Sequence, residues 1–195
     1  FSICRHSSMN FNFPKKNSIG ALGGCLQQMA SISNCHVVLT KVNSIVGADC
    51  VGGLIGEIIM NSKYGCAIAN CSVSSTTSSS VIIGNSSVGG AIGCCDYSYG
   101  EAKISNLTVS ACIAGCRRVG GIIGSTERIS LTQMSFAGTI IGINNSLANA
   151  FGGVAGASGF YTSYTECKTN VVFQLESSHT TNVGGIVGVI TESSN

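Results

Sequence analysis

Short apolar runs interrupted by glycine recur along this chain of 195 residues. The hexapeptide VGGLIG begins at residue 51, and VGGAIG, VGGIIG, FGGVAG and VGGIVG begin at residues 88, 119, 151 and 183. From one copy to the next, the first glycine moves by 37, 31, 32 and 32 residues. A spacing of this size predicts a repeat architecture. The repeat glycines are Gly52, Gly53, Gly56, Gly89, Gly90, Gly93, Gly120, Gly121, Gly124, Gly152, Gly153, Gly156, Gly184, Gly185 and Gly188.

Each repeat also carries two other short apolar segments. One has the pattern Ile-x-Asn-Cys-x-Val at residues 32–37 and 68–73, with Leu in place of Cys at 104–109. The other ends in glycine, as in SIVG at 44 and VIIG at 81. Short runs rich in Ile and Val, bounded by Gly, Asn and Ser, predict β-strands. The repeat therefore predicts three short strands in roughly 32 residues.

A three-stranded unit cannot bury its apolar face alone, whereas stacked units can. We therefore predict an all-β fold, a right-handed parallel β-solenoid (β-helix) of about six coils. A β-propeller is the alternative, but its blades need four strands and about 40 to 50 residues. In a solenoid, one glycine column serves either a positive φ at a corner or a close approach of neighbouring backbones, and the sequence leaves both open.

The repeats predict a single domain over residues 1–195. We expect residues 1–29 to form a degenerate first coil with LGGCLQ at 22–27, residues 30–188 to hold the regular repeats, and residues 189–195 to form a tail. Because the chain starts with Phe1 and lacks a signal-peptide pattern there, we expect a mature chain or a segment of a longer one.

Charge and hydropathy exclude several classes of function. Charged residues make up 9% of the chain, against about 25% in an average domain. The net charge is +2 and no basic cluster exceeds two residues, so we expect no nucleic-acid partner. No apolar run approaches the roughly 18 residues of a membrane span, and no motif calls for a cofactor.

The three segments together resemble the GLUG repeat, which occurs in surface proteins of bacteria and in some protist proteins. The resemblance covers residues 30–188, with Phe151 replacing Val and a higher cysteine content as departures. It implies a β-solenoid region of a secreted or surface-displayed protein, used for adhesion or as a spacer and not for catalysis.

Eleven cysteines favour an oxidising compartment, and hence a secreted, extracellular or cell-surface protein. Cys66 lies one repeat before Cys94 and Cys95, so a disulfide from Cys66 to one of them is predicted; Cys112 and Cys116 are close enough to pair locally. Cys35 and Cys71 share a repeat position with Leu107 and Met134, which indicates a buried apolar site, with a disulfide between stacked cysteines as the alternative.

Asparagines also share repeat positions. Asn34, Asn70 and Asn106 predict a ladder of stacked amides. Because a buried ladder would exclude glycans from the sequons at Asn70 and Asn106, the predicted N-glycosylation sites are Asn85 and Asn144, placed in loops.

No catalytic constellation emerges from the sequence. The GGxxG copies lack the helix and the Lys-Ser/Thr pair of nucleotide-binding loops. The eight acidic residues and three histidines occupy different repeat positions, so stacking is not expected to gather them. We therefore predict a non-catalytic structural protein, a filament building block that self-associates end to end or laterally. The alternative is an adhesin or spacer that binds a host protein or a glycan through its side face.

Overall fold

The protein is an all-β parallel solenoid of about five turns, close to the six predicted. This computed structural model describes residues 17–27, 30–61, 65–99, 102–143, 149–175 and 181–191, and no helix occurs among them. Their strands are β1 (Ile19–Gly20), β2 (Gly23–Gln27), β3 (Ser31–Ser33), β4 (His36–Leu39), β5 (Ile45–Val46), β6 (Asp49–Gly52), β7 (Ile55–Asn61), β8 (Ala67–Ser75), β9 (Ser80–Gly89), β10 (Ile92–Tyr99), β11 (Ala102–Gly120), β12 (Ile123–Thr126), β13 (Ile129–Gly142), β14 (Asn149–Gly152), β15 (Ala155–Ser158), β16 (Ser163–Thr165), β17 (Lys168–Gln174), β18 (Thr181–Gly184) and β19 (Val187–Ile190).

The strands form two parallel sheets that enclose the core. The small sheet has six strands in the order β19-β15-β12-β10-β7-β2, and the large sheet holds the other thirteen. Each coil passes through the large sheet, turns at the GG pair and returns through the small sheet. Between the sheets lies one continuous cluster of Ile, Leu, Val and Phe side chains, among them the fully buried Ile82, Ile113 and Phe151.

The repeat glycines stack in register, as predicted. Gly52 pairs with Gly89, Gly89 with Gly120, Gly120 with Gly152, and Gly152 with Gly184. The hexapeptides therefore form one column along the axis of the solenoid.

The first and last copies differ from the prediction. Gly20 pairs with Gly52, so the first copy is IGALGG at 19–24 and not LGGCLQ at 22–27. This assignment gives a step of 32 residues, which is the common period. At the other end, Val189 and Ile190 belong to β19 and pair with Ala157 and Ser158, so they continue the repeat and are not a tail.

Some strands are much longer than predicted. β11 has 19 residues and β13 has 14, because segments predicted as separate strands run together in each of them. The chain bends inside these strands at residues with positive φ, such as Asn106 and Gln133. A bend made this way keeps the hydrogen bonds between neighbouring coils on both sides of it.

A second apolar cluster lies on the outer side of the large sheet. Its residues alternate along the strands with core residues, and alternate residues of a strand point to opposite faces. The cluster comprises Ile83, Cys112, Ala114, Cys116, Ile141 and Ile143, all of which are buried.

Candidate binding groove beside the glycine corner

The glycine columns exist because backbones approach closely, and not because of a positive φ. None of the fifteen repeat glycines has a φ in the left-handed region. A Cβ on Gly90 would overlap the carbonyl oxygen of Gly121 in the next coil. A Cβ on Gly93 would overlap the backbone of Cys50 in the large sheet. The two sheets therefore meet backbone to backbone at this corner, where only glycine fits.

Next to this contact, side chains from both sheets line a groove of about 410 Å³. The large sheet contributes Asp49, Ser87 and Arg118, and the small sheet contributes Glu57 and Ser125. Hydroxyl and charged groups dominate this lining. The groove is therefore a polar site that follows several coils along the side of the solenoid.

Hydrogen bonds fix several of the polar groups in and near the groove. Ser18 donates its hydroxyl to Oε2 of Glu57 at 2.6 Å, and the Ser125 hydroxyl donates to Oγ of Ser87 at 3.1 Å. The Thr126 and Tyr164 hydroxyl oxygens lie 3.4 Å apart. Burial raises the pKa of the Tyr164 phenol.

The groove corrects one expectation about the acidic residues. Asp49, Glu57 and Glu127 occupy different repeat positions, yet all three line this groove. The corner turns the chain back on itself, so positions on either side of the GG pair come together. The scatter of acidic residues in the sequence therefore did not imply scatter in space.

The disulfide in the structure joins Cys50 to Cys94, whose Cα atoms lie 5.1 Å apart. The predicted bond from Cys66 to Cys94 or Cys95 is wrong, because Cys94 is bonded to Cys50 and Cys66 is a free thiol. The predicted Cys112–Cys116 bond is also wrong, since Cys116 is a free thiol. Cys50 connects to a cysteine one coil further along because the corner brings the two sheets into contact.

The repeat position of Cys35 and Cys71 is apolar and inward, as expected. Cys71, Leu107 and Met134 are each at most 2% exposed. Cys35 and Cys71 are free thiols, so the alternative disulfide between them is not formed. The Cys35 amide instead donates to the Cys71 sulfur at 3.5 Å.

One step of the predicted amide ladder, between Asn70 and Asn106, is present, and it lies on the surface. Nδ2 of Asn106 donates to Oδ1 of Asn70 at 2.8 Å, and both residues are exposed and have positive φ. Burial therefore does not exclude glycans from these two sequons. Asn85 lies inside β9 and not in a loop, and Asn144 lies outside the described residues.

Other residues with potential chemistry stand apart from the groove. His36 is exposed, and its Nδ1 lies 2.8 Å from the Ser72 hydroxyl; His6 and His179 lie outside the described residues. Tyr161 is 80% exposed, with the Arg128 guanidinium 5.0 Å above its ring.

The fold places the chain among parallel β-solenoid repeat proteins with a polar groove along one corner. Comparison with family models, curated proteins and solved structures found no match. In the part of the chain that the structure describes, no helix is long and apolar enough to cross a membrane.

Proposed function

We propose that this chain is a non-catalytic structural protein, a building block of an extracellular or cell-surface filament in which the β-solenoid continues from copy to copy. The Cys50–Cys94 disulfide supports an oxidising compartment, because stable disulfides are rare in the cytosol. The resemblance to GLUG-repeat proteins supports the same setting.

The main support comes from the two ends of the stack. Leu22 in the first described coil and Val183 in the last are each 47% exposed, whereas Leu54 and Val88 at the same repeat positions are fully buried. Among the described residues, the strands at the two ends of the stack, β1 and β2 at one end and β18 and β19 at the other, each pair with a strand on one side only. Open edges with exposed apolar residues favour pairing with further coils.

Gly185 offers a specific test of axial stacking. In inner coils, a Cβ at this repeat position would overlap the carbonyl oxygen of the glycine in the next coil, but at Gly185 it meets nothing within 4 Å. Gly185→Ala should therefore leave a single copy intact and obstruct a second copy at this end. Val183→Lys should obstruct it more strongly, because it places a charge in the contact.

The experiment is sedimentation velocity combined with negative-stain microscopy of the full chain over a range of concentrations. The wild-type protein should form elongated assemblies, and both variants should shorten them, Gly185→Ala without lowering the melting temperature of the single copy. Thr108→Lys is the matched control, because Thr108 is exposed on the side of an inner coil and should not affect axial stacking. Wild-type protein that stays as discrete rods, or variants that assemble normally, would overturn the proposal.

The groove favours the second candidate, an adhesin or spacer that binds a glycan or a host protein through its side. Its polar lining offers hydroxyl, carboxylate and guanidinium groups to a ligand. A panel of immobilised oligosaccharides would test the glycan form of this candidate, with Arg118→Ala expected to weaken any binding. Discrete rods with groove-dependent binding would favour this candidate over the filament.

A further inference from the structure

Three metal-ligating groups converge beside the glycine corner. The sulfurs of Cys50 and Cys94 and a carboxylate oxygen of Glu57 all lie within 4.8 Å of one another. Cys50 and Cys94 are 8% and 6% exposed, and Glu57 is half-buried. In the structure the two sulfurs form the disulfide, so in this oxidation state they are not available as thiolate ligands.

The backbone, and not only the disulfide, holds these groups together. Cys94 and Glu57 are direct register partners on β10 and β7. Because Gly93 has no side chain, β10 can lie directly against the backbone of Cys50 on β6. Breaking the sulfur–sulfur bond therefore leaves the three side chains beside one another.

A hydrogen bond from Ser18 also fixes the orientation of the Glu57 carboxylate. Ser18 donates a hydrogen bond of 2.6 Å to its Oε2 atom. Partners of this kind fix the direction of metal-binding carboxylates and tune their affinity. All three ligand residues line the groove of about 410 Å³, which gives an ion and its fourth ligand a route to the site.

We propose that reduction of the Cys50–Cys94 disulfide converts this position into a zinc site formed by both cysteine sulfurs and the Glu57 carboxylate, with water at the fourth position. A dithiol reductant supplies two electrons and two protons, and is itself oxidised to a disulfide while Cys50 and Cys94 become thiols. Zn²⁺ then displaces the two thiol protons as it binds. Zinc is favoured over calcium or magnesium because thiolates are soft ligands.

The combined charge of the three ligand side chains also suits a divalent cation. Two thiolates and one carboxylate carry three negative charges, of which Zn²⁺ neutralises two. The Arg118 guanidinium lines the same groove. The disulfide and the zinc site are therefore two alternative states of one corner, selected by the redox conditions.

The test is a titration of the full chain with Co²⁺, which reports thiolate ligands by a charge-transfer absorption, followed by displacement with Zn²⁺. The protein is reduced with a phosphine, which becomes a phosphine oxide and contributes no competing thiol. Reduced wild-type protein should bind one equivalent with this absorption, and oxidised protein should not. Glu57→Gln should weaken binding by about tenfold or more, and Cys50→Ser/Cys94→Ser should abolish it.

A matched control pair is available in the same chain. Cys35 and Cys71 are also adjacent free thiols in successive coils, but among the described residues they belong to no three-ligand cluster. Cys35→Ser/Cys71→Ser should therefore retain full binding. Circular dichroism of each reduced variant checks the fold, and Glu57→Gln tests the site even if the double cysteine variant unfolds, because it keeps both cysteines.

Three results would overturn the proposal. They are reduced wild-type protein that binds no Co²⁺ with thiolate absorption, Glu57→Gln binding as tightly as wild type, and oxidised protein binding as tightly as reduced protein. Filament formation is a separate readout, so failure of the zinc site would not be confused with failure of the proposed assembly.

Discussion

The inner and end coils use the same residues in different surroundings. Leu54 is fully buried, whereas Leu22, at the same repeat position, is 47% exposed. Gly90 faces the backbone of the next coil closely enough to exclude a Cβ, whereas Gly185 faces open space. The requirement for glycine in the second position of the GG pair therefore comes from the neighbouring coil and not from the conformation of its own backbone.

The largest expected effect contrasts Gly90→Ala with Gly185→Ala. The new methyl group at residue 90 would overlap the carbonyl oxygen of Gly121, and backbone atoms cannot move aside cheaply. We expect a loss of about 3 kcal/mol or more in the free energy of unfolding for Gly90→Ala. Gly185→Ala should be neutral or stabilising by up to about 1 kcal/mol, since alanine restricts the unfolded chain. Urea denaturation at concentrations where the protein is monomeric measures both values.

Equal destabilisation by the two substitutions would mean that glycine is required by local backbone conformation after all. Loss of stability at residue 185 alone would contradict the open environment of that position. Either outcome would remove the physical basis of the contrast between inner and end coils.

A smaller effect is expected for the buried leucine position. Leu54→Ala leaves a cavity between the sheets and should cost about 3 kcal/mol. Leu22→Ala removes the same atoms from a half-exposed site and should cost about half as much or less, because less apolar surface returns to water. The two variants have identical chemistry, so the ratio of their unfolding free energies measures how open the first described coil is. Equal costs would show that further structure covers Leu22.

The sequence was sufficient to predict the column of glycines, the parallel stacking and the inward position of Cys71, Leu107 and Met134. Each of these features relates a residue to its equivalent in the next coil, and a constant period makes that relation visible. The predicted position of the first copy is wrong because the prediction aligned the GG pair at residues 23–24 with the GG pairs of later copies. The step of 32 residues that leads to Gly20 is the better guide, because register follows the period.

The groove, the disulfide and the gathered acidic residues could not be predicted in the same way. Cys50 and Cys94 belong to different repeat positions, and their contact depends on how closely the two sheets approach at the corner. The two sheets can approach this closely because Gly93 has no side chain, and a Cβ at that position would point into the backbone of Cys50. A one-dimensional repeat carries no information about this contact between sheets.

The smallest expected difference between inner and end coils is in the reactivity of two thiols. Cys66 lies in an inner coil and is 5% exposed, whereas Cys25 lies in the first described coil and is exposed. Burial raises the pKa of the Cys66 thiol from an ordinary value of 9.0 to about 11. Burial and the neighbouring Glu57 carboxylate also raise the pKa of Cys25, but this thiol is exposed. Iodoacetamide should therefore modify Cys25 faster than Cys66 at pH 8, since only the thiolate of an accessible cysteine reacts. Mass spectrometry of peptides from the modified protein measures both rates.

The same pKa shift predicts a loss of stability at alkaline pH. The folded protein holds the Cys66 proton more tightly than the unfolded chain does, so this contribution is complete below pH 9 and disappears as the pH rises through about 11. Wild-type protein should lose more unfolding free energy between these pH values than Cys66→Ala does, because the variant lacks the titrating group. Parallel pH dependences for the two proteins, or equal alkylation rates for Cys25 and Cys66, would mean that the inner coils open to solvent as easily as the first described coil.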